Sequence, residues 1–157
     1  MPHLALEEKI QQLFPYLIVR NTPAAIEFYK LVFGAEEAMR LEEPGGRIGH
    51  AELKLGAAMI MLAEEFPERG ILSPLSLGGS STFLHLHVAN VDEMTQTAAN
   101  AGAKILAEPT TQFYGERSAK IQDPFGHVWM LGQHVEDVSP EEMQRRYMAL
   151  LSQPPKE

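Results

Sequence analysis

The sequence predicts an α+β protein built from two βαβββ modules that form a cupped, barrel-like site, with one further helix at the C-terminus. Three observations carry this reading. The chain of 157 residues repeats itself at a spacing of 69, which pairs Phe14 with Phe83, Leu17 with Leu86, Val19 with Val88, Asn21 with Asn90 and Met61-Leu62 with Met130-Leu131. Alternating apolar segments bounded by turn residues follow one order in both copies: strand, helix, then three strands. Each copy is also too short to be comfortable alone, and two copies packed together solve that problem.

The elements follow in order. In the first module, residues 12–68, FPYLIV alternates as a strand, and Thr22-Pro23 reads as an N-cap followed by proline at the first helical position. The helix AAIEFYKLVF ends at Gly34, a C′ glycine. A strand near Glu37–Leu41, the turn EPGGR, the strand IGHAELKL and, after Gly56, the strand AMIML complete the copy. Residues 69–82, rich in Gly, Ser and Pro, read as a linker. The second module, residues 83–135, opens with FLHLHV and continues into a helix with Asp92 as N-cap and Gly102 at its end. AKILAEP, the loop QFYGER, the strand SAKIQ, the turn DPFG and the strand HVWML follow. Ser139 and Glu142 form a capping box that opens a helix over 139–151. Its Met143, Tyr147 and Leu150/Leu151 make an apolar stripe, read as a packing face rather than a subunit contact.

Composition narrows the function. A net charge of -8 and a pI near 5.2 exclude a basic nucleic-acid or anionic-membrane surface. The absence of cysteine excludes disulfides, thiolate metal sites and cysteine nucleophiles. MPHLALEEKIQQ has neither a basic n-region nor a continuous apolar h-region, and no apolar run is long enough to span a membrane, so the expected location is cytoplasmic.

Alternation along strands also divides the faces. Leu84, Leu86 and Val88 belong against a helix, which leaves Phe83, His85 and His87 on the opposite wall with Phe14, Tyr16 and Ile18 of the first copy. Ile60, Leu62, Trp129 and Leu131 fall on the helix side; Met59, Met61, Val128 and Met130 fall on the wall, as do His50 and Glu52. In SAKIQ the same repeat sets Lys120 and Gln122 on the helix side. A mostly apolar hollow with a few polar groups suits a small-molecule ligand.

Two βαβββ copies carrying AAIEFYKLVFGA and DPFGHVWML resemble the vicinal oxygen chelate superfamily, which includes glyoxalase I, bleomycin-resistance proteins and extradiol dioxygenases. The likeness covers residues 12 to 135. It implies a homodimer, with exchange of modules between chains left open. In metal-using members the ligands come from the first and last strands of each copy; those positions here are Phe14, Met61, Phe83 and Met130, none of which suits a hard or borderline divalent metal. The resemblance therefore implies the metal-free branch, with no cofactor and an aromatic or amphipathic small molecule held between the modules as in bleomycin-resistance proteins. Phe14, Met61, Phe83 and Met130 would supply apolar contact; Tyr16, His85, His87 and the loop residues Phe113, Tyr114 and Arg117 would complete the ligand site.

The rival reading is a glyoxalase-like, metal-dependent lyase or isomerase with a displaced centre. Its divalent metal would sit on His85 and His87, completed by His50 or Glu52 as two histidines and a carboxylate. His50 and Glu52 are also the candidate catalytic base and its orienting partner. Arg117 offers a fork to an anionic ligand, or else pairs with Glu116 or Asp123. Asp123, Pro124 and Gly126 read as a structural turn, and Trp129 as core.

Overall fold

The structure, a computed structural model, describes residues 10–155. It is α+β, and it divides between Leu72 and Ser73 into two compact units, each a βαβββ module. The first holds β1 (Tyr16–Val19), α1 (Thr22–Phe33), β2 (Glu36–Glu42), β3 (Ile48–Leu55) and β4 (Ala58–Glu64). The second holds α2 (Pro74–Leu77), β5 (Phe83–His87), α3 (Val91–Asn100), β6 (Lys104–Thr111), β7 (Glu116–Gln122), β8 (Val128–His134) and α4 (Pro140–Leu151). Sheet order is β1-β4-β3-β2 in one unit and β5-β8-β7-β6 in the other, with the first strand of each parallel to the last and the remaining pairs antiparallel. A parallel pair needs a crossover, and the helix supplies its start while covering one face of the sheet.

Both helices begin in the same way, and earlier than the sequence suggests. Asn21 caps α1, its side chain accepting from the Ala24 N–H, and Asn90 caps α3, accepting from the Glu93 N–H. Thr22 and Asp92, expected as caps, lie inside the first turn instead. Asparagine wins at position 21 because the backbone there is left-handed (φ 62°), a conformation that threonine's branched Cβ resists. A side chain from the last strand completes each start. Glu64 accepts from the Asn21 and Thr22 N–H groups (both 2.8 Å) and the Thr22 hydroxyl (2.7 Å), while Gln133 accepts from the Val91 N–H at 3.0 Å. These donors are ones that a helix leaves orphaned.

On α1, Ala25, Ile26, Tyr29 and Val32 are buried at helical spacing over Leu53, Ile60 and Leu62. On α3, Val91, Thr95 and Ala98 lie over Ala119, Ile121, Trp129 and Leu131. Each large apolar side chain so removed from water contributes about 1.5–3 kcal/mol before conformational entropy is set against it. The buried turn DPFG is held by Asp123, whose Oδ1 accepts from the Phe125 and His127 N–H groups and whose Oδ2 accepts from the Trp129 indole, all at 2.9 Å.

One face assignment reverses. Ala119 pairs with Leu131 and Ile121 with Trp129, so Ala119 and Ile121 fill the core and Lys120 and Gln122 occupy the opposite face. The β7–β8 connection is one residue longer than its counterpart. In the first unit Lys54 pairs with Met59; in the second, Val128, the counterpart of Met59, pairs with Gln122 rather than with Asp123, the counterpart of Lys54. One extra residue moves every side chain of β7 to the other face.

Helix α4 also departs from expectation. Ser139 caps it, accepting from the Glu142 N–H, but none of its residues is buried, and Tyr147, Leu150 and Leu151 of the apolar stripe are exposed. Its tie to its own unit is the Tyr147 ring stacked on Phe113 and the Arg146 guanidinium, which donates to the Phe113 carbonyl and to both carboxylate oxygens of Glu136.

Candidate functional site

On the sheet face away from α3, His85 and His87 project side by side from β5, rings stacked at 4.9 Å between centroids. The carboxylate facing them belongs to Glu116, the first residue of β7. Its Oε2 lies 3.7 Å from His85 Nε2 and its Oε1 lies 3.4 Å from His87 Nδ1. Strand β8 runs between β5 and β7, so these side chains must meet above it. They can because the β8 residue between His87 and Ser118 is Gly132. A Cβ there would stand 2.7 Å from His85 Nε2 and 2.8 Å from Glu116 Oε2, inside any normal contact.

The donor set fits a divalent metal. One ligand atom from each of His85, His87 and Glu116 lies within 4.8 Å of the others. The two separations are too wide for strong hydrogen bonds, and at 3.4 and 3.7 Å one lies within and one just above the spacing of about 3.3–3.6 Å between ligands held tetrahedrally at about 2.0–2.2 Å from one ion. Two imidazoles with one carboxylate also suit borderline metals such as Zn²⁺, Fe²⁺ or Mn²⁺.

Beside this cluster the face continues as Ser118, Lys120 and Met130, which join Thr110, Gln112 and Tyr114 around a recess of about 290 Å³. The Lys120 ammonium rests 4.4 Å from the centre of the Phe83 ring, and the Tyr114 hydroxyl lies 3.4 Å from that of Ser118. A second hollow of about 520 Å³ lies over Glu116, Tyr114, His134 and Asp137.

The remaining sequence candidates separate into other environments. Arg117 pairs neither with Glu116 nor with Asp123: its fork is taken by Asp92, with Nε and Nη2 at 2.7 and 2.8 Å from the two carboxylate oxygens. That pairing holds the Asp92 carboxyl below its ordinary range. Phe113 stacks on Tyr147 and meets Tyr114 edge to face. In the first unit, Phe14 precedes β1, and Met61 pairs with Tyr16 on one side and Glu52 on the other. His50 joins Tyr16 and Glu52 through hydrogen bonds on the face away from α1: the Tyr16 hydroxyl is 2.7 Å from His50 Nδ1, and His50 Nε2 is 3.2 Å from Glu52 Oε1.

Among the described residues, then, the third member of the histidine cluster is Glu116 rather than His50 or Glu52. Sequence reasoning missed Glu116 and Gly132 for one reason. Setting Lys120 on the helix side sets Glu116 there too, since both have the same parity along β7. The signal was present in Ala119 and Ile121, the apolar residues of that strand, whose place is the core.

Comparison with known proteins agrees with this architecture. Residues 2–131 match the family model of the Glyoxalase/Bleomycin resistance protein/Dioxygenase superfamily. An uncharacterized protein of Mycobacterium bovis is 38% identical over 135 residues, covering 84% of this chain and 89% of its own. Among solved structures, protein PA1353 from Pseudomonas aeruginosa superposes with a TM-score of 0.65 at 22% identity, covering 81% of this chain and all of its own. The fosfomycin resistance protein FosX from Listeria monocytogenes, complexed with Mn(II) and sulfate, gives a TM-score of 0.63 at 19% identity over 87% of this chain and 97% of its own. With its paired βαβββ modules and a family match over most of its length, the chain belongs to the Glyoxalase/Bleomycin resistance protein/Dioxygenase superfamily.

Proposed function

We propose that this protein binds a divalent metal ion through His85, His87 and Glu116 and holds a small oxygen-bearing molecule beside it on the same sheet face. The observation that carries this reading is the convergence of the three donors over Gly132, a position where any side chain would fill the space they share. A bound divalent ion supplies Lewis acidity to a ligand oxygen. The chain's own residues would do the rest. His85, His87 and Glu116 hold the ion, Lys120 offers positive charge to an anionic group, and Ser118 and Tyr114 offer hydroxyls to orient it. The reaction class to screen is that of a glyoxalase-like isomerase or lyase. Mn(II) in FosX supports the use of a divalent metal on this fold.

A second reading keeps the ligand and omits the metal. Apolar residues at the four positions expected to carry ligands in the family, Phe14, Met61, Phe83 and Met130, support binding of an aromatic or amphipathic molecule by contact alone. A homodimer accompanies both readings by family analogy, and a cytoplasmic location by the sequence expectation. Elemental mass spectrometry of the purified protein, followed by calorimetric titration with Zn²⁺, Ni²⁺, Mn²⁺ and Fe²⁺, separates the two. About one ion per chain, lost in the His85→Ala/His87→Ala double variant, supports the first. No stoichiometric ion and no binding in any titration refutes it and leaves the second.

A further inference from the structure

The first unit carries a polar array that the metal cluster does not use. We propose that Tyr16, His50 and Glu52 form a proton relay whose outer group is the Tyr16 oxygen, a base site for a small molecule with a weakly acidic O–H or carbonyl-activated C–H.

The array spans three strands. Tyr16 lies on β1, at the sheet edge, and His50 and Glu52 lie two residues apart on β3, so both point to one face. Strand β4 runs between them. On β4, Tyr16 pairs with Met61 and Ile18 with Ala63; extending the β3–β4 register by one residue sets His50 across from Ala63, so the Tyr16 ring reaches His50 on a diagonal. Ala63 is the 69-residue counterpart of Gly132. The corresponding faces carry a histidine–carboxylate cluster in one module and a hydrogen-bonded chain in the other.

The chain of hydrogen bonds has one direction. An ionised carboxylate only accepts, so the His50 nitrogen facing Glu52, Nε2, carries a proton. In neutral imidazole the other nitrogen, Nδ1, is then bare and accepts the Tyr16 O–H at 2.7 Å. Burial, followed by the nearby charge of Glu52, pushes the Tyr16 hydroxyl above its ordinary value, which keeps that proton in place at neutral pH. Tyr16 as a residue is 48% exposed, and the His50 and Glu52 side chains are 22% and 24% exposed, so the tyrosine is the end of the hydrogen-bonded chain open to a ligand. With its own proton committed to His50, the phenol oxygen can accept another. As the ligand's proton moves to Tyr16 Oη, the phenol proton moves to His50 Nδ1. The resulting imidazolium stands between Tyr16 and the Glu52 carboxylate, and the electron pair of the broken bond stays on the ligand. Arrays of this form contribute about 10²–10⁴-fold in rate where they act as general bases.

The test uses N-acetylimidazole and an internal control. Tyr147 has a similar exposure, 46% against 48% for Tyr16, and stacks on Phe113 rather than joining a histidine. Acetylation of each tyrosine is followed by peptide mass spectrometry on the full chain. In this probe reaction the Tyr16 oxygen bonds to the acetyl carbon as the acetyl–nitrogen bond breaks, and the phenol proton passes to His50, which returns it to the departing imidazole. Tyr16 is expected to react at least about tenfold faster than Tyr147. His50→Ala should remove that advantage and Glu52→Gln should reduce it, with the Tyr147 rate unchanged as a check on folding. Equal rates in the wild type, or an advantage that survives His50→Ala, overturn the relay. Nitrogen-15 shifts of His50 in the unaltered protein provide an independent measurement: a bare Nδ1 and a protonated Nε2 are required, and the opposite tautomer refutes the relay. Neither readout involves a metal, so the relay and the metal centre stand or fall separately.

Discussion

Replacing Gly132 by alanine separates the metal site from the fold. Gly132 sits inside β8 and is not among the glycines with positive φ, so alanine suits its backbone and removes the entropic cost of glycine in a strand. The new Cβ would begin 2.7 Å from His85 Nε2 and 2.8 Å from Glu116 Oε2, where ordinary contact starts at 3.4 Å. Two donors must therefore each retreat by about 0.6–0.7 Å, whereas a metal site tolerates about 0.2 Å in its ligand distances. Both atoms are the far ends of side chains that can rotate away, so the fold yields cheaply while the site does not. We expect Gly132→Ala to keep its melting temperature within a few degrees and to weaken metal affinity by at least about 100-fold, roughly 2.7 kcal/mol. Paired calorimetric and thermal-melting measurements read both quantities. Wild-type affinity in Gly132→Ala would refute the placement of the ion, and a collapsed fold would refute the claim that only the site needs glycine there.

Further outcomes follow from the same contacts. Asp123→Ala removes an acceptor shared by three donors in a buried turn and should cost about 3–5 kcal/mol, lowering the melting temperature by roughly 6–20 °C as followed by Trp129 fluorescence. Glu64→Ala loses three hydrogen bonds at the start of α1 and should cost about 1–2 kcal/mol in chemical denaturation with an unchanged slope, more than Gln133→Ala, which loses one. Arg145 and Arg146 hold the Glu142 carboxyl down to about 2, and Arg146 also lowers that of Glu136. A depressed carboxyl stabilises the folded form above its unfolded value and ceases to do so as pH falls through the folded one. The Glu136–Arg146 pair, and with it the contact of Tyr147 with Phe113, should therefore persist at pH 5 and loosen only as pH falls below the ordinary glutamate value, as read from proton resonances of the two rings. Loosening already at pH 6 would show that these pairs are not what ties α4 to its unit.

Much of this protein is legible in its sequence because local rules and tertiary demands agree. The 69-residue repeat aligns Asn21 with Asn90 and so marks both helix caps, even though Thr22 and Asp92 look like better caps when read singly. Period-two alternation put Trp129 and Leu131 in the core and turned His85 and His87 the other way, since neighbouring side chains of a strand take opposite faces. Gly34, the DPFG turn and the Ser139 cap depend on backbone geometry that a few residue types favour, and they too could be read locally.

Tertiary structure alone decided which carboxylate meets the histidines. A hairpin connection one residue longer than its counterpart inverts β7, and that parity carries Glu116 to His85 and His87 and Lys120 to Phe83. It likewise decided that Arg117 answers Asp92 across 25 positions and that Tyr16 answers His50 across 34. Such pairings depend on register between strands and, for the histidine cluster, on Gly132 in the strand between. Sequence periodicity assigns a residue to a face; only the paired sheet sets which residue across that face it reaches.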